Sequence, residues 1–239
     1  MEQLSREQEF EPAQLAPLSI DDFVVSLPPS MAGPREPAMD VARCLDIAVA
    51  IAAIVFTAPL LITIALMVWS HDGGSPLFSQ DRIGFGGRRF RCFKFRTMIM
   101  GAEGRLRAVL ESNPDARREW SADHKLRRDP RITPIGRFLR QSSLDELPQL
   151  FNVLRGEMSL VGPRPIVAAE ICRYGRRFRS YCSVRPGLTG LWQVSGRNDI
   201  SYRRRIAYDV LYARRRTTSL NLAIILKTAP AVIGRRGCY

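Results

Sequence analysis

The run Ser143-Leu144-Asp145-Glu146-Leu147-Pro148 carries the most pointed chemistry in the chain. Two adjacent carboxylates open a helical pattern shortly after Arg137 and Arg140. A purely architectural reading exists. Acidic residues in a first turn complement the helix dipole, and Ser143 with Glu146 has capping-box spacing. The chemical reading assigns one carboxylate as a nucleophile toward phosphorus and the other as a magnesium ligand. Adjacent side chains on a helix diverge by about 100°, so the two can divide these roles. A helix N-terminus there would also favour a phosphate.

Cations with restricted backbones are the second ingredient. Arg140, Arg164 in Gly162-Pro163-Arg164-Pro165 and Arg197 in Gly196-Arg197-Asn198 each lie beside Gly, Pro or a helix start. A guanidinium on a rigid turn offers a fixed fork to phosphate oxygens. Lys94 and Arg96, at the end of a strand-like run, are similar candidates. Any one of these cations alone reads equally as a solvated surface residue. No Gly-x-x-x-x-Gly-Lys-Ser/Thr loop is present. His71 and His124 lack partners at metal-ligand spacing, which argues against a histidine-rich zinc site. The five cysteines show no Cys-x-x-Cys pair and read as reduced thiols of a cytoplasmic domain.

These residues need elements to hold them. Residues 88–98 alternate, with Phe90, Cys92 and Lys94 on one side and Arg91, Phe93 and Phe95 on the other, which predicts a strand. Residues 101–128 read as helical, with Leu106, Val109 and Leu110 on one face. Leu144, Leu147, Phe151 and Leu154 share a face, which predicts a helix over 144–155. Near the C-terminus, 202–216 places Tyr202, Ile206, Val210 and Leu211 together between arginine triplets, and 220–233 is more apolar. Both segments suit either a membrane surface or an ordinary core.

Upstream, residues 47–69 form 23 uncharged, almost wholly apolar positions. That length can cross a hydrocarbon core of ~30 Å. Pro59 sits at its middle, and a kink there could return the chain to the side it entered from. Spanning and re-entrant readings both stand on the residues alone. Residues 1–40 are acidic and proline-rich, with a net charge of −6, and read as a disordered leader. The remainder carries about +19, which with the −6 of the leader gives the net +13, and 33 of the 36 basic residues in the whole chain are Arg. Such a balance calls for an anionic partner or surface. Few exposed aromatics interleave with the arginines, so base stacking and nucleic-acid binding are disfavoured.

The segments KFRTM (94–98), DPRIT (129–133), SLDELPQLFNVLRGEMSLVGPRP (143–165) and RPGLTGLWQVSGRN (185–198) resemble signatures of the bacterial sugar transferases, the monotopic phosphoglycosyl transferases. The resemblance runs from about Arg43 to Tyr239, and is greatest to the galactosyl-phosphate transferases of succinoglycan-type exopolysaccharide synthesis. It implies a helix-rich mixed α/β fold in three parts. These are the leader 1–40, a re-entrant membrane helix 41–71 broken at Pro59, and a cytoplasmic catalytic domain 72–239 with interfacial amphipathic helices. It implies location at the inner membrane, with the catalytic domain on the cytoplasmic face. It further implies a UDP-hexose donor, undecaprenyl phosphate as acceptor, inner-membrane lipids as surroundings, and Mg2+ as cofactor. Asp145 would be the nucleophile, Glu146 the magnesium ligand, and Arg140, Arg164 and Arg197 phosphate contacts, beside Lys94 and Arg96. A homo-oligomer is compatible with the sequence. UDP-glucose or a UDP-N-acetyl amino sugar, and a non-catalytic membrane-tethered scaffold, are the alternatives. Two departures stand out: RRRTTSLNLAIIL (214–226) replaces an aromatic-rich stretch, and Ala58 precedes Pro59 where some relatives have serine.

Overall fold

A computed structural model describes residues 40–123, 126, 128–196 and 200–233. The Asp40 carboxylate accepts the backbone N–H of Arg43 and caps the first helix. That helix, α1, runs from Val41 to Asp72, 32 residues, or about 48 Å at ~1.5 Å per residue. It is long and apolar enough to cross a membrane. It continues through Pro59 without a change of secondary structure. The hydroxyls of Thr57 and Thr63 donate to the carbonyls of Ala53 and Pro59. Such back-bonding, next to a proline that lacks an N–H, bends helices.

One stripe of α1 is covered toward both of its ends. Arg43, Asp46, Ala50, Ile64 and Val68 are buried on it. The opposite side is apolar and open, with Val55 69% and Phe56 86% exposed. Near its start, Arg43 donates to the carbonyls of Val153 and Met158. Asp46 accepts from the Ser159 hydroxyl and the Leu160 backbone. Near its end, Ile64 and Val68 pack with Phe95 and Leu139.

Two short strands follow, β1 (Leu77–Ile83) and β2 (Arg89–Phe95), paired antiparallel. Their register sets Phe78 opposite Lys94, Gln80 opposite Cys92, and Arg82 opposite Phe90. Opposite residues share a face, so the alternation read for β2 extends to β1 and places Arg82 on the side of Lys94. The segment expected as one helix over 101–128 is divided. Helices α2 (Ala102–Ser112) and α3 (Pro114–Asp123) meet at Asn113, where Pro114 disfavours helical backbone in its predecessor.

Helix α4 (Pro134–Ser142) starts on Thr133, whose hydroxyl accepts the N–H of Gly136. A Cβ on Gly136 would collide with the backbone carbonyl of Thr97, so glycine lets α4 seat on the end of the strand ribbon. Helix α5 (Gln149–Leu154) comes next, then β3 (Ser159–Val161) and, after α6 (Ile171–Tyr174) and α7 (Phe178–Cys182), β4 (Gly187–Thr189). Strands β3 and β4 pair in parallel. Their approach is close enough that a Cβ on Gly187 would strike the backbone nitrogen of Gly162. Helices α8 (Leu191–Ser195), α9 (Tyr202–Arg215) and α10 (Thr218–Ile233) complete the helix-rich α/β fold.

The main core joins Ala50 of α1, Phe90 and Cys92 of β2, Leu150 and Val153 of α5, Tyr212 of α9 and Ile224 of α10. A second core gathers Ile83, Ile166, Tyr174, Phe178, Tyr181 and Ile206. The apolar stripe of α9 is therefore turned to the core, with Ile206 buried and Tyr202 and Val210 packed beside it. Leu211, grouped with them in the sequence pattern, points outward. On α10, Ile224 is buried while Leu222 and Leu226 are exposed. The four cysteines among the described residues are free thiols.

Candidate functional site

The carboxylate pair does not open a helix. Ser143 adopts φ 58, the sole positive φ at a non-glycine among the described residues. Its N–H closes α4 onto the Arg140 carbonyl, and the chain swings into a single 3-10 turn, Leu144–Glu146. The Ser143 side chain makes no capping hydrogen bond there, so the capping box expected with Glu146 is absent. The helix expected over 144–155 shrinks to Gln149–Leu154. A dipole-based phosphate site at Ser143 loses its basis, because one 3-10 turn sums few peptide dipoles.

Asp145 is buried and Glu146 half-buried. The Lys94 ammonium donates to Glu146 Oε1 at 2.6 Å and lies 3.7 Å from Asp145 Oδ2. Arg164 Nη2 is 3.6 Å from the same Glu146 oxygen. The hydrogen bond and ion pairs of Glu146 among the described residues all fall on Oε1, which leaves Oε2 available. Asn152 fixes the distance between ribbon and turn. Fully buried on α5, it accepts the N–H of Phe93 and donates to the carbonyl of Arg91, so β2 holds Lys94 in register with the carboxylates. The glycine crossing at Gly162 and Gly187 places Arg164 and Pro165 on the same cleft.

The environment drives the neighbouring carboxyls apart. Burial pushes Asp145 above the ordinary aspartate range, although Lys94 and Arg140 pull the other way. Burial also acts on Glu146, but Arg164 and Lys94 outweigh it and hold this carboxyl below the usual glutamate range. Arg140 donates its Nε to the Thr97 hydroxyl at 2.8 Å and acts on Asp145 through space. A divergent pair of this kind is a hallmark of acid–base and nucleophilic sites.

Arg96 is not gathered with the others. Its guanidinium bonds Asp72 at 2.6 Å and the carbonyls of Val68, Gly74 and Ser75. It ties the end of α1 to the ribbon. Alternation alone would set Arg96 on the side of Lys94, but Arg96 lies past the last paired residue, Phe95, where the strand register no longer directs it. Arg197 lies outside the described residues. Sequence reasoning missed Arg82, Gln149 and Gln193, which line the cleft with Cys92, Lys94, Glu146, Arg164, Pro165, Gly187 and Leu188. Arg82 is pinned by bonds to the Pro165 carbonyl and Gln80. Only the pairing of β1 with β2 could have flagged it.

The described residues contain no cluster of three or more His, Cys, Asp or Glu suited to a metal. Magnesium nonetheless needs only one or two protein carboxylates when substrate phosphates and water complete its shell. Asp145 and the free oxygen of Glu146 fit that mode.

The profile of the bacterial sugar transferases matches residues 38–235, and the chain belongs to that family. It is 48% identical over 197 residues to the UDP-galactose-lipid carrier transferase of Erwinia amylovora, covering 82% of this chain and 41% of that protein. Identity is also 48% over 197 residues with the undecaprenyl-phosphate galactose phosphotransferase of Salmonella typhimurium, with coverage again 82% and 41%. The chain thus spans about two fifths of the length of these two relatives. Against the exopolysaccharide production protein ExoY of Sinorhizobium fredii, identity is 47%, covering 82% of this chain and 87% of the relative.

Proposed function

We propose that the protein transfers a hexose 1-phosphate, with galactose the first candidate, from a UDP-sugar to undecaprenyl phosphate as the opening membrane step of exopolysaccharide synthesis. The observation that carries this reading is the buried Asp145, 3.7 Å from Lys94 and next in the chain to Glu146, which lines a cleft walled by Lys94, Arg164 and Arg82. The names of the relatives favour galactose and a polyprenyl carrier.

The two substrates are both anionic, one soluble and one lipid, and a single cleft serves them in turn through a covalent intermediate. An Asp145 carboxylate oxygen forms a bond to the β-phosphorus while the bond from that phosphorus to the bridging oxygen breaks. UMP leaves with the electron pair. A phosphate oxygen of the carrier then attacks the same phosphorus, and Asp145 is released as carboxylate. Burial makes Asp145 a more basic, poorly solvated oxygen, which suits attack. Lys94, Arg164 and Arg82 offset charge on the diphosphate. Mg2+, held by Glu146 with Asp145 alongside, would supply further charge neutralisation at the transferring phosphoryl group.

For the membrane, we infer that α1 lies in one leaflet and returns to the cytoplasmic side, bent at Pro59. Support comes from its two halves, which both dock on the same domain, through Arg43 and Asp46 at one end and Ile64 and Val68 at the other. A straight spanning helix would carry one end away from that domain. The open apolar face of α1, with Leu222 and Leu226 of α10, supplies the surface that would enter lipid.

The decisive experiment is UMP release from UDP-galactose by the full-length chain in nanodiscs with Mg2+, with and without undecaprenyl phosphate. Turnover that requires the lipid and vanishes in Asp145→Asn is expected. Release that survives Asp145→Asn would rule out the covalent route. No release from any UDP-hexose by a folded sample would favour the scaffold alternative.

A further inference from the structure

Gln193, on α8, lines the cleft opposite the charged groups of the β1–β2 ribbon. Its Nε2 donates to the Leu188 carbonyl at 3.3 Å. The oxygen is therefore the end of the amide left over. Oε1 is shielded from solvent and accepts no hydrogen bond among the described residues. An acceptor shielded and without a partner is disfavoured, and such groups in folded proteins call for an explanation. Oε1 rests against Gly190, where a Cβ would come within 2.8 Å of it. Only one long bond holds the amide in this retracted position. The terminal torsion of glutamine is broad, so a modest turn presents Oε1 to the cleft.

The chemistry of the cleft narrows what would meet it. Arg82, Lys94 and Arg164 are donors suited to phosphate oxygens. Glu146 is engaged by Lys94 and Arg164. Gln193 contributes an uncharged acceptor, which takes a hydrogen bond without repelling a diphosphate. We propose that Gln193 is a specificity-determining residue whose Oε1 accepts a hydrogen bond from an N–H or O–H of the bound nucleotide sugar. The donor is either the uracil imide or a hexose hydroxyl. This rests on the nucleotide-sugar reading above.

The test uses full-length Gln193→Met in nanodiscs, a substitution close in shape that lacks the acceptor. UMP release is measured with UDP-galactose, UDP-glucose and an N3-methylated UDP-galactose, alongside the melting temperature without substrate. The donor KM should rise about tenfold with kcat changed less than about twofold. The melting temperature should change little, because the unpaired buried oxygen and the single long Nε2 bond to the Leu188 carbonyl are lost together. Lost discrimination between UDP-galactose and UDP-glucose assigns the bond to a sugar hydroxyl. An equal rise for both, with the N3-methylated donor indifferent to the substitution, assigns it to uracil. An unchanged KM, or a lowered melting temperature with kcat and KM affected together, overturns the proposal. Wild-type protein that releases no UMP overturns the nucleotide-sugar reading itself.

Discussion

Asp145 and Glu146 are chain neighbours with opposite electrostatic fates. Burial raises the first, while Arg164 and Lys94 lower the second despite burial. In the role proposed for it, Asp145 must be ionised to attack. Activity should therefore fall as pH drops through the Asp145 pKa, and the acid limb of kcat/KM should lie above 3.8, the ordinary aspartate value. Lys94 is the largest influence favouring the ionised form of Asp145. Lys94→Met should move the acid limb to higher pH as well as weaken the donor complex. A pH series of initial rates in wild type and Lys94→Met checks this, and an unmoved limb would detach Asp145 from the titration. The pair itself was legible in the sequence. Its differentiation was not, because it arises from Lys94, 51 and 52 positions upstream in the numbering, and from Arg164 downstream.

At the scale of elements, the site depends on the sharp turn between α4 and the 3-10 turn. Ser143 takes a left-handed conformation there, which costs an L-residue roughly 1–2 kcal/mol. A β-branched residue tolerates it least. Ser143→Val should destabilise the fold by about 1–3 kcal/mol and displace Asp145, lowering kcat more than it alters donor affinity. Denaturant melts in detergent together with steady-state kinetics would check both parts, and a variant with wild-type stability and kcat would show that the turn is not under strain. The periodicity of Leu144, Leu147, Phe151 and Leu154 read as one helix because it counts apolar spacing alone. It is blind to Pro148, which sits between the 3-10 turn and α5. The split at Asn113-Pro114 escaped for a similar reason, although proline marked it.

The whole molecule adds the relation between the apolar helix α1 and the rest of the fold. Residues 47–69 declared a membrane segment by composition, and Pro59 raised the choice between spanning and returning. The docking of both halves of α1 onto one domain weighs for returning. Single cysteines at positions 30 and 103, in a background without the native thiols, should both be labelled by an impermeant reagent only in inside-out vesicles. Labelling of position 30 solely from the opposite side would establish a spanning helix. The sequence by itself determined the apolar length of α1, the carboxylate pair, the Gly and Pro punctuation and the family. Each of these is local and depends on residue type and spacing along the chain. The tertiary structure alone decided that Lys94, Arg82, Arg164 and Gln193 share a cleft while Arg96 turns to Asp72. Those outcomes depend on strand register, on the crossing of Gly162 and Gly187, and on Asn152 clamping β2 to α5. They are contacts between residues far apart in the chain, and no local pattern encodes them.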